Sequence, residues 1–356
     1  MQALSLCMIV KNEADVLARC LESAAGLYDE LIVVDTGSTD ATKSVAARFT
    51  DQIFDFPWID DFSAARNFAF DQATLPHCMW LDADDILLPA DREGFLQVKE
   101  QALPEADVVM APYHTGAAQD GAPALSYYRE RIVRRSPLFR WSGAVHEAIS
   151  PAGNVVYTQA AVTHRKEKQG DPDRNLRILQ GIVDSGRNLT PREQFYYGRE
   201  LAGHSRFQDA ALVLEQFLTV GWGWRENSIE ACRVLATCYT ALHSPRRALR
   251  ALLESLAFDA PRAEVCCDLG ALFLNRGDYP AAIRWYEQAL NCPRDDRSGA
   301  FIVPACYDYL PAIQLCLCWY RLGDREKAAA WNKRAGAARP EDPFYLYNKA
   351  FFEREA

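Results

Sequence analysis

The chain has 356 residues, of which 49% are hydrophobic and 24% are charged. This composition excludes a disordered or fibrous protein, and the length suggests about two domains. The formal net charge of −9 argues against general nucleic-acid binding, which requires a basic face.

The sequence predicts a soluble, cytoplasmic protein. No stretch reaches the roughly 18 uninterrupted apolar residues of a membrane-spanning helix. The apolar N-terminus lacks the basic start and the small-residue cleavage site of a signal peptide. The eleven cysteines are odd in number and form no Cys-x-x-Cys pair. We therefore expect reduced thiols, as is usual in the cytoplasm.

The first 165 residues alternate between strand-like and helical patterns. Predicted strands cover residues 3–10, 30–34, 52–56 and 78–81, and predicted helices cover residues 13–25, 42–49 and 62–73. This alternation predicts an α/β domain with a mostly parallel sheet and helices on its faces. Such sheets bind ligands at the carboxyl ends of their strands, where two acidic loops are expected to lie.

From about Thr190 the pattern is helical throughout, and a repeat of roughly 34 residues emerges. Small residues recur at Gly198, Ala236 and Gly270, and bulky residues recur at Leu214, Leu252 and Tyr286. This spacing is typical of tetratricopeptide repeats. We predict an all-α solenoid of four repeats, with an insertion near residues 291–301 and a capping helix at 344–353. An unrelated helical bundle is the alternative.

A polar turn and a short helical pattern connect the two halves, and Pro172 is placed to begin that helix. The predicted organisation is an α/β domain at residues 1–165, a linker helix at 166–189 and a repeat domain at 190–356.

The first acidic loop, residues 35–40, follows a predicted strand. Gly37 permits a tight turn, and Asp35 is left at the end of the strand. A carboxylate there can accept a hydrogen bond from a base or a ribose. A plain helix-capping turn explains these residues equally well.

The second acidic loop places three carboxylates within four residues, at Asp82, Asp84 and Asp85. A divalent cation would neutralise their mutual repulsion. It would also let a diphosphate bind there. Without the cation, each pair of carboxylate and phosphate charges at 4 Å would repel by about 4 kcal/mol. A solvated acidic turn is the alternative.

Four further residues are candidates for the same site. His146 is a candidate metal ligand, and the adjacent Glu147 is a candidate general base. Arg66 is suited to bidentate pairing with a phosphate. Each of these residue types is also common in purely structural roles, and for His164 we expect a structural role.

These motifs occur together, at residues 8–13, 34–40, 66–67, 81–85 and 145–147, and in this order they resemble bacterial family 2 glycosyltransferases. The resemblance covers about the first 165 residues. It implies the nucleotide-sugar-binding fold called GT-A. It further implies an inverting transferase that uses a nucleotide-diphosphate sugar, usually UDP-linked, with Mn²⁺ or Mg²⁺.

The resemblance also implies roles for individual residues. Asp35 would contact the nucleoside base, and Asp82 and Asp84 would form the metal- and nucleotide-binding motif. The predicted donor-binding residues are Asp35, Asp40, Arg66, Asp82 and Asp84, and the predicted metal ligands are Asp82, Asp84 and His146.

The catalytic base is the least determined role. We favour Glu147, with Asp85 and Asp120 as alternatives. Residues 113–123 are predicted to form a glycine-rich loop of the kind that closes over a bound substrate.

The fusion to repeats is similar to bacterial peptide and protein glycosyltransferases, including those that modify cysteine. We therefore expect a peptide or protein acceptor held by the repeats, and a homodimer is compatible with the sequence. Two alternatives stay open. In the first alternative, the acceptor would be a cell-surface polysaccharide or a lipid-linked glycan. In the second, the chain would be an inactive-enzyme scaffold that acts through its repeats.

Overall fold

The computed structural model describes residues 3–117, 123–167 and 170–354. The chain divides into two compact units. The first comprises Met1–Gly116 and Tyr127–Leu189, and the second comprises Ala117–Ser126 and Thr190–Ala356. Within the described ranges, no helix is long and apolar enough to cross a membrane.

The strands all belong to one sheet. They are β1 (Leu4–Val10), β2 (Glu30–Asp35), β3 (Ile53–Asp55), β4 (His77–Trp80), β5 (Asp85–Ile86), β6 (Val108–Ala117), β7 (Pro123–Arg134), β8 (Val155–Tyr157) and β9 (Val162–His164). Their order is β3-β2-β1-β4-β7-β6-β9-β5, and β8 pairs with β6. The helices of the first unit are α1 (Leu17–Ser23), α2 (Thr42–Ala46), α3 (Phe62–Gln72), α4 (Pro89–Gln101) and α5 (Arg174–Asp184).

The predicted α/β architecture is confirmed, and the sheet is mixed rather than purely parallel. Strand β1 pairs in parallel with β2 and β4, and β2 pairs in parallel with β3. The pairs β4–β7 and β5–β9 are antiparallel. Strands β1, β2 and β4 are buried at nearly every position, as in a sheet that is covered on both faces.

Of the loop predicted at residues 113–123, residues 113–117 belong to strand β6 and Pro123 belongs to β7. Residues 118–122 lie outside the described part of the chain. The candidate base Asp120 lies outside the described residues. The strand pattern was missed because glycine and alanine interrupt the alternation of residues on which strand prediction depends.

The second unit contains helical pairs joined by short turns, followed by a final helix. The pairs are α6 (Pro191–Gly203) with α7 (Phe207–Val220), α8 (Arg225–Ala241) with α9 (Pro245–Glu254), α10 (Ala263–Asn275) with α11 (Tyr279–Asn291), and α12 (Tyr309–Arg321) with α13 (Arg325–Ala338). The final helix is α14 (Pro343–Arg354). The predicted repeats, the insertion and the capping helix are thereby confirmed.

The periodic glycines of the repeats mark close helix–helix contacts. A Cβ atom added at Gly270 would lie 2.7 Å from the ring of Tyr286. A Cβ atom added at Gly198 would lie 2.5 Å from Leu214. The bulky residue of the second helix therefore fits against the backbone of the first helix. This contact explains why the small and the bulky residues recur with the same spacing.

Candidate active site

A cavity of about 440 Å³ lies where β1, β2 and β4 end. Val10 at the end of β1, Thr36 after β2 and Trp80 at the end of β4 all line it. The carboxyl ends of three parallel strands therefore meet at one place, which is where an open α/β sheet binds its ligand.

The loops that follow β1 and β2 are joined by hydrogen bonds. The side chain of Asn12 accepts a hydrogen bond from the backbone N–H of Thr39 at 2.8 Å. The hydroxyl of Ser38 accepts one from the N–H of Asn12 at 2.9 Å. Asn12 has φ 58°, a left-handed conformation that asparagine tolerates better than most residues. The motifs at residues 8–13 and 34–40 thus form one rigid rim of the cavity.

Asp35 and Asp40 have different positions in this rim. Asp35 is 1% exposed, and its Oδ1 accepts hydrogen bonds from the N–H groups of Gly37 and Ser38. Its Oδ2 is buried without a hydrogen-bond partner. Asp40 accepts hydrogen bonds from the N–H groups of Thr42 and Ala14 and so connects the two loops.

The second acidic loop is closed by one of its own side chains. Oδ2 of Asp85 accepts a hydrogen bond from the N–H of Asp82 at 3.0 Å. Asp82 and Asp84 line the cavity with side chains that are 34% and 24% exposed, whereas Asp85 is fully buried. The loop therefore presents two carboxylates and uses the third to hold its shape.

The partners of Asp85 argue against a role as catalytic base. Its Oδ1 accepts a hydrogen bond from the hydroxyl of Tyr113 at 2.9 Å, and its Oδ2 lies 3.3 Å from Nη1 of Arg131. A fully buried carboxylate with both oxygens engaged cannot reach an acceptor in the cavity. The contacts of Asp85 instead hold the shape of the acidic loop.

Arg66 bridges two carboxylates that come from distant parts of the chain. Its Nη2 lies 2.6 Å from Asp82 and its Nε lies 2.6 Å from Glu147, while Nη1 is buried without a partner. Burial disfavours its charge, but Asp82 and Glu147 more than compensate and raise the pKa of Arg66. Burial likewise opposes ionisation of Asp82, yet the guanidinium lowers its pKa to about 2. Both groups are therefore charged at neutral pH.

Two further arginines near the cavity, Arg129 and Arg131, were not predicted. The guanidiniums of Arg66, Arg129 and Arg131 lie 4.9, 5.0 and 3.7 Å from the ring of Trp80. Arg129 also donates to the carbonyl of Glu147 and lines the cavity. The sequence signal that could have identified them is their spacing: two arginines at alternate positions of a strand lie on the same face of the sheet.

His146 and Glu147 lie in a tight loop closed by a pair of backbone hydrogen bonds between Ser142 and Ala148. Gly143 and His146 both have positive φ, 103° and 50°, so the loop turns sharply at two points. Both His146 and Glu147 line the cavity, and Glu147 is 9% exposed. The loop thus brings a carboxylate to the same cavity as the acidic loop.

The group of residues within reach of one metal ion differs from our prediction. In the described part of the chain, ligand atoms of Asp84, Asp85 and His164 lie within 4.8 Å of one another. His146 is not in this group, and its Nε2 lies 3.5 Å from the side-chain nitrogen of Asn175. The histidine beside the acidic loop is therefore His164, for which we had expected a structural role.

His164 lies beside the acidic loop because β9 pairs with β5, which sets His164 opposite Asp85. Hydrogen bonds to Asp84 and Asp85 raise the pKa of His164 to about 10. A proton thus neutralises part of the acidic loop. Carboxylate oxygens and one imidazole nitrogen are donors that a divalent ion such as Mn²⁺ accepts, so these residues fit a metal that replaces that proton.

Comparisons with known proteins agree with this geometry. Residues 5–152 match the family described as Glycosyl transferase family 2. A TPR repeat-containing protein of Synechococcus elongatus is 31% identical over 300 residues, which cover 83% of this chain and 58% of that protein.

Two similar proteins have names that include an activity. The lipopolysaccharide core biosynthesis glycosyltransferase LpsC of Rhizobium meliloti is 31% identical over 160 residues, covering 43% of this chain and 58% of LpsC. The SPbeta prophage-derived glycosyltransferase SunS of Bacillus subtilis is 30% identical over 209 residues, covering 54% of this chain and 48% of SunS. The chain spans about half the length of these relatives. Together, the family match and the strand-end cavity show that residues 5–152 belong to glycosyl transferase family 2.

Proposed function

We propose that the first unit binds a nucleotide-diphosphate sugar, with uridine as the expected base, and transfers the sugar to an acceptor with inversion. The observation that carries this proposal is the cavity at the carboxyl ends of β1, β2 and β4, which combines exposed carboxylates with buried arginines. A site with both signs of charge suits a donor that has a diphosphate and, when bound, a divalent cation.

The nucleoside is proposed to bind beside Asp35. Its Oδ2 is a buried acceptor without a partner, and such atoms are rare because they cost free energy. Thr36, the next residue, lines the cavity. A base N–H that donates to Oδ2 would remove this cost. Asp40 would act indirectly, by holding the rim in shape.

The diphosphate is proposed to bind near Arg66, Asp82 and Asp84. Nη1 of Arg66 is a buried donor without a partner, and a phosphate oxygen would accept from it. Asp84 and His164, with Asp82 in the same cavity, would hold Mn²⁺ or Mg²⁺. The bound ion would act as a Lewis acid on the leaving diphosphate.

Glu147 is the proposed general base. It would take the proton from the acceptor nucleophile as that atom forms a bond to the anomeric carbon. The bond from the anomeric carbon to the diphosphate oxygen breaks in the same step, and the diphosphate leaves with the electron pair. Attack from the side opposite the leaving group inverts the configuration.

The acceptor is proposed to be a peptide or protein side chain that the repeats help to hold. The repeats favour a peptide, since solenoids of this kind present extended surfaces suited to binding one. The match to SunS covers 54% of this chain and therefore extends beyond the first 165 residues. The similarity to LpsC favours a glycan acceptor as the second candidate. The inactive-scaffold alternative is less favoured because the candidate site residues gather around one cavity.

The proposal is tested by measuring release of nucleoside diphosphate from UDP- and GDP-sugars, with Mn²⁺ and with excess chelator. Asp84→Asn should lower turnover by about 10²–10³, because the amide is a weaker ligand for the ion that would stabilise the leaving diphosphate. Folding should be unchanged, and Asp91→Asn, in helix α4 outside the cavity lining, is the matched control. Full activity in chelator would contradict the metal assignment.

A further inference from the structure

The connection between α11 and α12, residues 292–308, is longer than the other connections between helical pairs, such as 221–224 between α7 and α8. We call residues 292–308 the insertion segment. Residues 293–297 of this segment are exposed, whereas the part from Gly299 onward packs on residues of α6 and α10 and on Trp224, which precedes α8.

The segment first meets α6 and the start of α8. The guanidinium of Arg199, on α6, lies 4.8 Å from the ring of Phe301. Gly299 approaches the side chain of Trp224, the residue before α8, so closely that a Cβ atom would be 2.6 Å from the indole. Gly299 also has φ 77°, a conformation that suits glycine.

The segment is then held by one carboxylate of α10. Oε1 of Glu264 accepts a hydrogen bond from the backbone N–H of Val303 at 2.9 Å. Oε2 of the same residue accepts one from the hydroxyl of Tyr307 at 3.2 Å. Glu264 is 5% exposed, so this carboxylate is buried and its two oxygens both contact the segment.

The middle of the segment is extended and buries an apolar side chain. Ile302 is 2% exposed and forms an antiparallel bridge with Ser126. Backbone hydrogen bonds, a buried aliphatic side chain and an aromatic ring against an arginine are the contacts by which a surface holds an extended peptide.

We propose that the surface formed by Arg199, Trp224 and Glu264 binds an extended peptide with adjacent aromatic and aliphatic residues, and that residues 299–303 are its resident occupant. A peptide of this kind must displace the segment. In the proposed function, such a peptide would be the acceptor of the sugar. The acceptor role rests on that proposed function, whereas the binding of the peptide does not.

A resident occupant lowers the measured affinity for a free peptide. The apparent dissociation constant equals the intrinsic constant divided by the fraction of molecules whose surface is open. If the segment is released in fewer than one molecule in ten, a variant that keeps it released binds the peptide at least about tenfold more tightly.

The test uses a fluorescein-labelled peptide with the sequence of residues 298–304 and the full chain, without any donor. Fluorescence anisotropy should show weak binding to the wild type and at least tenfold tighter binding to Ile302→Asp, which places a charge in the buried position of the segment. Glu264→Gln combined with Ile302→Asp should weaken binding again. Arg294→Ala, at an exposed position of the segment, is the control and should bind like the wild type.

Circular dichroism shows whether Ile302→Asp folds, and Gly299→Ala is the milder variant if it does not. Equal peptide affinity for the wild type and for a folded variant overturns the proposal. So does hydrogen exchange at residues 301–303 as slow as in α10, because the segment would then not open. Absence of nucleotide release in the activity assay would overturn the proposed function and leave this peptide measurement unaffected.

Discussion

In the first unit, several buried charged side chains lie in or next to the cavity, whereas in the second unit three buried glutamates lie in the first turn of successive first helices. The first set is Arg66, Asp85, Glu130, Arg131 and Glu147, each at most 9% exposed. They come from two strands, a helix and a loop. Local chain geometry cannot explain their meeting, so a common function is the simplest reason for their burial.

The second unit buries Glu193, Glu226 and Glu264, which all lie in the first turn of the first helix of a pair. A carboxylate there interacts favourably with the free N–H groups and the positive end of the helix dipole. Recurrence in the first turn of these helices therefore indicates an architectural role, to which Glu264 adds its contacts with the insertion segment. The comparison shows that buried charge points to a site when it converges from different elements. Repetition of a buried charge in the first turn of successive helices has an architectural reason of its own.

The largest expected effect tests the convergent set. Glu147→Gln should lower turnover by about 10²–10⁴, the usual contribution of a general base, because the amide cannot take a proton. Its oxygen can still accept from Nε of Arg66, so donor affinity should change little. Turnover and donor binding are measured on the same preparation.

Glu22→Gln is the control for this measurement, because Glu22 is exposed on α1. If donor affinity is lost while the fold is intact, Glu147 belongs to the donor site and another residue is the base.

A smaller effect is expected from the architecture of the repeats. Gly270→Ala should lower the free energy of unfolding by about 1–3 kcal/mol, because the added methyl group overlaps the ring of Tyr286. Gly203→Ala, which meets no atom within 4 Å, should instead be neutral or stabilise by up to about 1 kcal/mol. Urea unfolding of both variants checks the sign. Equal effects would show that the glycine spacing is not a packing requirement.

The smallest effect concerns a buried histidine of the first unit that lies outside the cavity lining. His77 is 1% exposed, its Nε2 is bonded to the carbonyl of Ala106, and its Nδ1 is buried without a partner. Burial lowers the pKa of His77, so the unfolded chain binds the proton more readily. Stability should therefore fall as the pH drops below about 6.5, by at most about 1.4 kcal/mol per pH unit.

This pH effect is measured as the urea midpoint at pH 7.5 and pH 5.5, in the wild type and in His77→Gln. The variant should lose less stability over this range than the wild type. An identical loss in both proteins would assign the acid sensitivity to other groups.

Much of the fold follows from local patterns of the sequence. The strands and helices of residues 3–81 lie within a few residues of their predicted ranges, and helical pairs follow from Thr190 onward, as the repeat predicts. Hydrophobic periodicity is a local signal, and in the repeats the same pattern occurs several times, which makes it easier to recognise. The end of strand β6 was missed because Gly116 and the small residue after it are typical of a loop.

The sequence by itself determined the two kinds of architecture, the acidic loops and the strand ends at which they lie. Only the tertiary structure decided which histidine joins Asp84. The sequence favoured His146, but the pairing of β5 with β9 sets His164 opposite Asp85. Tertiary contacts also buried Asp85 against Arg131 and Tyr113 and seated the insertion segment on the repeats. These outcomes depend on pairing between residues far apart in the chain, and local periodicity carries no information about such pairing.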